Sequence, residues 1–297
     1  MNKKIILICM LISIHFQSYS KCLSITIDDL PFNRPTSFQE LDIYTNNIIS
    51  GLKQYGINAT LFVNEKGLEL DDKTGRIGVL KKWVAYGHSL GNHTYSHISM
   101  HQTPLDQFEK DILKGEQIIK KLMSEDNKPL HYFRFPYNHA GLTVKSRNEI
   151  TNFLMNHGYE IAPMTIDTDD WIFDRAYVEA IKNNDLEKQK ELVRSYLKHT
   201  QAKFEFYDAA TITIFNRDID HIWILHANTI NAETMSQLLR IAVDRGYCFK
   251  SLEEVMKDPA YQLTDNYYKN FGPSWLYRWD YSNGLKVDWR HEPEPNI

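Results

Sequence analysis

The sequence predicts an α/β protein of parallel strands with helices packed outside them. Three observations predict it. Short apolar, β-branched runs alternate with longer segments of helical spacing. Glycines stand where the helical segments stop, as C-cap residues do. Polar or ionisable residues finish nearly every apolar run, and no internal repeat divides the chain.

The chain of 297 residues opens on a pattern of export. Lys3 and Lys4 precede the apolar run Ile5 to Ile14, and Ser18-Tyr19-Ser20 offers small residues for cleavage. Residues 1–20 are therefore expected to be a signal peptide, and the mature protein secreted or periplasmic. The run is too short to span a bilayer. The residues before Cys22 form no lipid-attachment box, so no membrane anchor is expected after cleavage.

Leu23 to Ile27 reads as the first strand, apolar and β-branched. Phe38 to Tyr55 carries helical spacing through Leu41, Tyr44, Ile48 and Leu52 and ends at Gly56. Ile57 to Val63 is the second strand, and Ile77 to Tyr86 a helix stopped by Gly87. Leu105 to Met123 predicts one long amphipathic helix, with Leu105, Phe108, Ile112, Ile119 and Leu122 on one side. His131 to Phe135 is a strand, Val144 to Asn156 a helix, and Tyr159 to Ile166 one or two short strands. Tyr177 to His199 predicts a charge-rich helix with Leu186, Leu192, Val193, Tyr196 and Leu197 inward. Ile222 to Leu225 is a dense apolar strand, Ala232 to Asp244 a helix, and Tyr247 to Lys250 the last strand. The main domain is bounded at residues 21–258. Residues 259–297 hold Tyr267, Tyr268, Trp275, Tyr277, Trp279 and Trp289 and are expected to pack over it as an arm, with a groove-lining role as the alternative.

Net charge is −4 and no basic block stands out, so nucleic acid is not an expected partner. Oligomeric state is not legible. Cys22 and Cys248 remain after export, an even pair in an oxidising compartment. They stand near the starts of the first and last strands. A disulfide and two buried thiols are both open.

The strand ends carry the chemistry. The stretch SITIDDLPF drives Asp28 and Asp29 side by side onto the end of a core strand. Neighbouring carboxylates repel, and burying one unpaired is costly, so a positive group is expected opposite them. GHSLGNHTYSH supplies His93 and His97, four apart, which on one helical face can share a cation. FRFPY supplies Arg134 and Tyr137, IDTDDW supplies Asp167, Asp170 and Trp171, and IWILH ends on His226. Two histidines and one carboxylate make a three-ligand metal site with open positions, and the second carboxylate is left as a base. Each piece has a bland reading. A lone HxxxH arises by chance, Asp-Asp before Leu-Pro is often a turn, Arg134 suits an ion pair and His226 a core histidine. Their joint appearance at successive strand ends favours a site.

Order and spelling of these blocks resemble the polysaccharide deacetylases of carbohydrate esterase family 4. TIDD (Thr26 to Asp29), HTYSH (His93 to His97), RFPY (Arg134 to Tyr137), DTDDW (Asp167 to Trp171) and ILH (Ile224 to His226) follow that family's sequence of motifs. ATLFV (Ala59 to Val63) also matches, and the resemblance covers roughly Leu23 to Leu252. It implies a distorted (β/α) barrel of about seven parallel strands and a metal-dependent carbohydrate deacetylase. Carried over by position, Asp28 is the general base, with Arg134 orienting it. Asp29, His93 and His97 hold the metal, zinc or another divalent ion such as cobalt. The Tyr137 N–H helps form the oxyanion hole, Asp170 orients the general acid His226, and Trp171 lines the acetyl pocket. Leu30 replaces the usual glycine and is expected to narrow the site mouth. Ile224 replaces a leucine on the pocket wall, and Phe135 stands where proline is frequent. The implied substrate is an acetylated carbohydrate: a chitooligosaccharide, peptidoglycan or an exopolysaccharide. O-acetyl ester hydrolysis on the same site and an inactive carbohydrate-binding relative are the alternatives. A related branch acts on cyclic amides and ureides, against which the export pattern argues.

Overall fold

The computed structural model describes residues 21–34 and 36–297. The expected signal peptide, residues 1–20, lies outside the described residues. The first half runs β1 (Cys22–Leu30), α1 (Phe38–Gln54), β2 (Thr60–Val63), α2 (Lys73–Ala85), β3 (Ser89–Asn92), α3 (Leu105–Lys114), α4 (Gln117–Glu125), β4 (Tyr132–Phe133) and α5 (Val144–Asn156). The second half runs β5 (Glu160–Ile161), β6 (Ile166–Asp167), α6 (Asp170–Lys182), α7 (Leu186–Phe215), β7 (His221–His226), α8 (Thr229–Asp244), β8 (Cys248–Phe249), α9 (Leu252–Val255) and α10 (Trp275–Ser282).

Seven strands form one parallel path in the order β5-β4-β3-β2-β1-β7-β6. The sheet curls into a half-barrel with β5 and β6 at its two ends, which is the distorted barrel expected. β1 is central and buried along almost its whole length, with apolar Leu23, Ile25 and Ile27 on one face and polar Ser24, Thr26 and Asp28 buried on the other. Leu23 pairs with His221 of β7 and with Phe249 of β8. The short β8 therefore lies on the β2 side of β1, below the point where β2 begins. Cys22 sits opposite Cys248 there, and the two form a disulfide. Among the described residues no helix is long and apolar enough to cross a membrane.

Three expected helices are corrected. Leu105 to Met123 is two helices, because Gly115 ends α3 where it packs on the backbone of Tyr95. Tyr177 to His199 joins the end of α6 to the start of α7, which turn at Asn183–Asp185 around a left-handed Asn184. α7 then runs on to Phe215, burying Phe204, Tyr207, Thr211 and Ile214 at helical spacing, while Leu186, expected inward, is 65% exposed. His93 to His97 is no helix but a loop after β3, a strand hidden in SLGN by its glycine and polar ends. The arm packs over the domain. The Trp275 N–H donates to the Met164 carbonyl, between β5 and β6, and Trp279 is buried against Phe215 and Tyr261.

Candidate active site

Asp28 and Asp29 should point to opposite faces of a regular strand. They do not, because β1 breaks its register between Ile27 and Leu30, and Asp29 takes a left-handed φ of 65°. Both carboxylates thereby approach one imidazole atom: Asp28 Oδ2 lies 3.7 Å and Asp29 Oδ1 3.6 Å from His93 Nε2. The chain turns on into Pro31 and Phe32. Leu30, expected at the site mouth, is instead fully buried in the main core, because the same break sends its side chain inward.

Arg134 is the positive group opposite the pair. It is fully buried after β4, and its Nη1 donates to Asp28 Oδ1 (2.8 Å) and Thr26 Oγ1 (2.7 Å). Its remaining nitrogens donate to the Ala162 and Pro163 carbonyls, and its plane lies 4.3 Å from the Phe62 ring. Burial still raises the Asp28 carboxyl above its ordinary value, against the pull of Arg134 and His226.

His93 and His97 are placed by the loop after β3. Thr94 and His97 both have left-handed φ, near 60°. The loop's polar groups are held from several sides. Asn92 Oδ1 accepts from the Thr94 N–H, Asn64 donates to the His93 and Thr94 carbonyls, and Asp111 accepts from the Ser96 N–H and hydroxyl at 2.9 Å each. His93 Nδ1 donates to the Arg134 carbonyl (2.9 Å), which turns Nε2 toward the carboxylates. Burial, with His97 adding to it, lowers His93 to about 3, so it is a neutral ligand-type imidazole at pH 7.

These residues fit a divalent cation. Asp29 Oδ1 is buried with no hydrogen-bond partner and lies 3.3 Å from His97 Nε2. One ligand atom from each of Asp29, His93 and His97 lies within 4.8 Å of the others. Two imidazoles and one carboxylate suit zinc, with positions left for small ligands.

A second pair faces Asp28 across the sheet. His226, on β7, is the register partner of Asp28. Asp170 starts α6, 1% exposed, with Oδ1 2.7 Å from His226 Nδ1. Its Oδ2 accepts from the His226 N–H, Asn228 and Asn231. Burial alone raises such an acid, but these contacts outweigh it and hold Asp170 low. Burial alone lowers His226, but the Asp170 charge and hydrogen bond outweigh that and raise it to about 10.

Tyr137 lies in the turn Pro136–Asn138, with φ 58°. Its ring meets His97 edge-on at 4.5 Å, and among the described residues its N–H donates to no other group. Trp171 is 48% exposed at the start of α6. Ile224 is buried two residues before His226. Asp167 is half-buried and raised to about 7 by desolvation and by Asp169; it accepts the Asp169 N–H and stays outside the ligand group. Sequence reasoning missed the supporting amides Asn64, Asn92, Asn228 and Asn231. Only adjacency to a histidine motif marks Asn92 and Asn228, and nothing marks the other two. A cleft of about 350 Å³ opens from Asp29 and His97, with Phe32, Arg34, Lys66 and Tyr95 among its walls.

The polysaccharide deacetylase family model matches residues 17–162. A peptidoglycan-N-acetylglucosamine deacetylase of Bacillus cereus is 27% identical over 154 residues, covering 52% of this chain and 48% of that protein. The chain spans about half the length of the curated relatives it matches. Among solved structures, a pseudoenzyme of carbohydrate esterase family 4 from Bacillus anthracis gives a TM-score of 0.53 at 16% identity, over 80% of this chain and 66% of that one. A mutant peptidoglycan deacetylase from Bacillus subtilis gives 0.51 at 20% identity, over 80% and 93%. At such identities the two structures speak to the fold alone. Ordered motifs, half-barrel and family match agree, and residues 17–162 of the chain match the polysaccharide deacetylase family.

Proposed function

We propose that this protein is an exported, metal-dependent deacetylase that hydrolyses N-acetyl groups of a polysaccharide's amino sugars to acetate and free amine. One observation carries the reading: a paired base (Asp28 with Arg134) and a paired acid (His226 with Asp170) stand around one ligand group of Asp29, His93 and His97. A pure sugar binder needs no such set. A divalent cation held by Asp29, His93 and His97, zinc first, would supply a water with its pKa lowered to about 7 and a Lewis acid for a carbonyl oxygen. Asp28, raised by burial, takes the proton of the attacking water. The Tyr137 N–H faces the oxygen on which charge develops. His226, protonated at neutral pH, delivers the proton that an amine leaving group requires. Export rests on residues 1–20, and the Cys22–Cys248 disulfide supports an oxidising compartment.

The test is acetate release by the purified protein with zinc, using N-acetylated chitooligosaccharides, peptidoglycan fragments and acetylated xylan, each with a chelator control. Chelator-sensitive release from an amino sugar is expected, and the substrate that responds names the polymer. Release from xylan alone moves the chain to the esterases. Zinc binding with no release from any of them makes it an inactive relative. Asp28→Asn should lower turnover roughly 10²–10⁴-fold while zinc binding stays. His97→Ala should lose both.

A further inference from the structure

We propose that the C-terminal arm is a working part of this active site: Gly272 and Arg278 hold the Tyr137–Asn138 turn in the conformation that presents the Tyr137 N–H. The inference rests on the deacetylase reading, in which that N–H is the oxyanion donor.

The turn needs holding. Tyr137 and Asn138 are consecutive non-glycine residues with φ of 58° and 54°. Left-handed backbone is disfavoured for side-chain-bearing residues and persists where surrounding structure over-determines it. The turn's own hydrogen bonds are two: the Asn138 N–H to the Phe135 carbonyl and the His139 N–H to the Pro136 carbonyl. The arm adds the rest, and it acts on the carbonyls. Gly272 sits so close that an added Cβ would lie 1.9 Å from the Tyr137 carbonyl oxygen and 3.0 Å from Asn138 Cβ. Gly272 needs no left-handed φ, so the close approach alone requires a glycine there. Arg278, 1% exposed, donates Nη2 to the Asn138 carbonyl and Nε to the Pro273 carbonyl. Its Nη1 donates to Asp265 (3.2 Å), which also accepts from Arg147 (2.6 Å). Arg147 in turn donates to the Ala140 carbonyl (2.7 Å) and the Tyr267 carbonyl (2.6 Å). One partly buried network thus ties arm residues 265–278 to the backbone at 138 and 140, while Gly272 packs on the carbonyl of 137. The Tyr137 N–H is left unengaged, and its ring rests on His97.

Gly272 and Arg278 are positioning residues: they touch no reacting atom and act through the turn. Gly272→Ala in the full chain must push the Tyr137 carbonyl away. Misplacing a catalytic group by about 1 Å costs on the order of 10²-fold. We expect kcat to fall by about that factor while KM and zinc affinity hold. Hydrogen exchange should speed up in the peptide covering residues 135–141 and nowhere else. Arg278→Lys, which keeps one donor for the Asn138 carbonyl, should retain more kcat than Arg278→Met. The proposal is overturned if Gly272→Ala keeps wild-type kcat and exchange. It is equally overturned if kcat falls only together with zinc affinity and exchange protection across the whole fold, since the arm then merely supports folding. A wild-type protein silent on every acetylated substrate sinks the deacetylase reading, whereas the exchange result still decides whether the arm holds the turn.

Discussion

At the residue scale, the site is a solution to placing two adjacent carboxylates in a buried strand end. Asp29 leaves the strand through a left-handed φ, which lets one carboxylate meet Arg134 while the other keeps a bare oxygen between two imidazoles. The second pair separates acid from base in the same way. His226, raised to about 10, stays protonated where Asp28 must be ionised. The sign follows from the direction of the shift. A histidine raised above its usual 6.5 stabilises the fold fully below pH 6.5, and that contribution fades as pH rises toward 10. Under the proposed mechanism turnover should have the same alkaline limit, because the acid is lost when His226 deprotonates. Asp170→Asn removes the carboxylate that holds the proton and leaves the burial that opposes it, so the alkaline limb of the kcat–pH profile should move down to or below neutrality. A limb that does not move would show that His226 is not the titrating acid.

At the element scale, the loop after β3 shows what a linear pattern can and cannot say. The spelling HTYSH marks His93 and His97 as candidate ligands whatever backbone carries them, and the structure brings both beside Asp29. Their four-residue spacing also fits a helix face, and the helix was the wrong choice. What decides is tertiary: Asp111 of α3 and Asn64 after β2 take up the loop's N–H and carbonyl groups, and neither signal is local. Gly115 belongs to the same contact. It caps α3 and sits where a Cβ would lie 2.5 Å from the Tyr95 nitrogen, so the close approach requires a glycine. Gly115→Ala should therefore destabilise the fold by about 1–3 kcal/mol in a denaturant titration, the usual cost of overpacking. Because the displaced backbone lies between His93 and His97, zinc affinity should fall too. Unchanged affinity in a destabilised variant would mean that α3 supports the fold without holding the ligands.

At the scale of the whole molecule, alternation of strand and helix carried the fold, and the ionisable strand ends pointed to the residues that the structure gathers as a candidate site. The turn at Asn183–Asp185 escaped because Asn-Asn-Asp inside a charged stretch resembles a solvated helix face. The roles of Gly272 and Arg278 escaped because nothing local links residue 272 to residue 137. The two cysteines could be paired only conditionally, since proximity depends on β8 lying beside β1. With the pairing in place, the disulfide closes a separation of 226 residues at the start of β1. Asp208 of α7 reinforces the same end, accepting from Lys21, Arg245 and Tyr247. Asp28 and Asp29, the carboxylates of the candidate site, occupy the other end, six residues along β1, or roughly 20 Å at the rise of an extended strand. Stability and chemistry are thereby placed at opposite ends of one strand, and they should separate by experiment. Cys248→Ser should cost about 2–5 kcal/mol and lower Tm by roughly 5–15 °C. At 25 °C, where the fold survives, kcat and zinc affinity should match the wild type. A large loss of kcat at 25 °C without a shift in Tm would mean that the strand's register at Asp28, and not the fold's stability, depends on the bond.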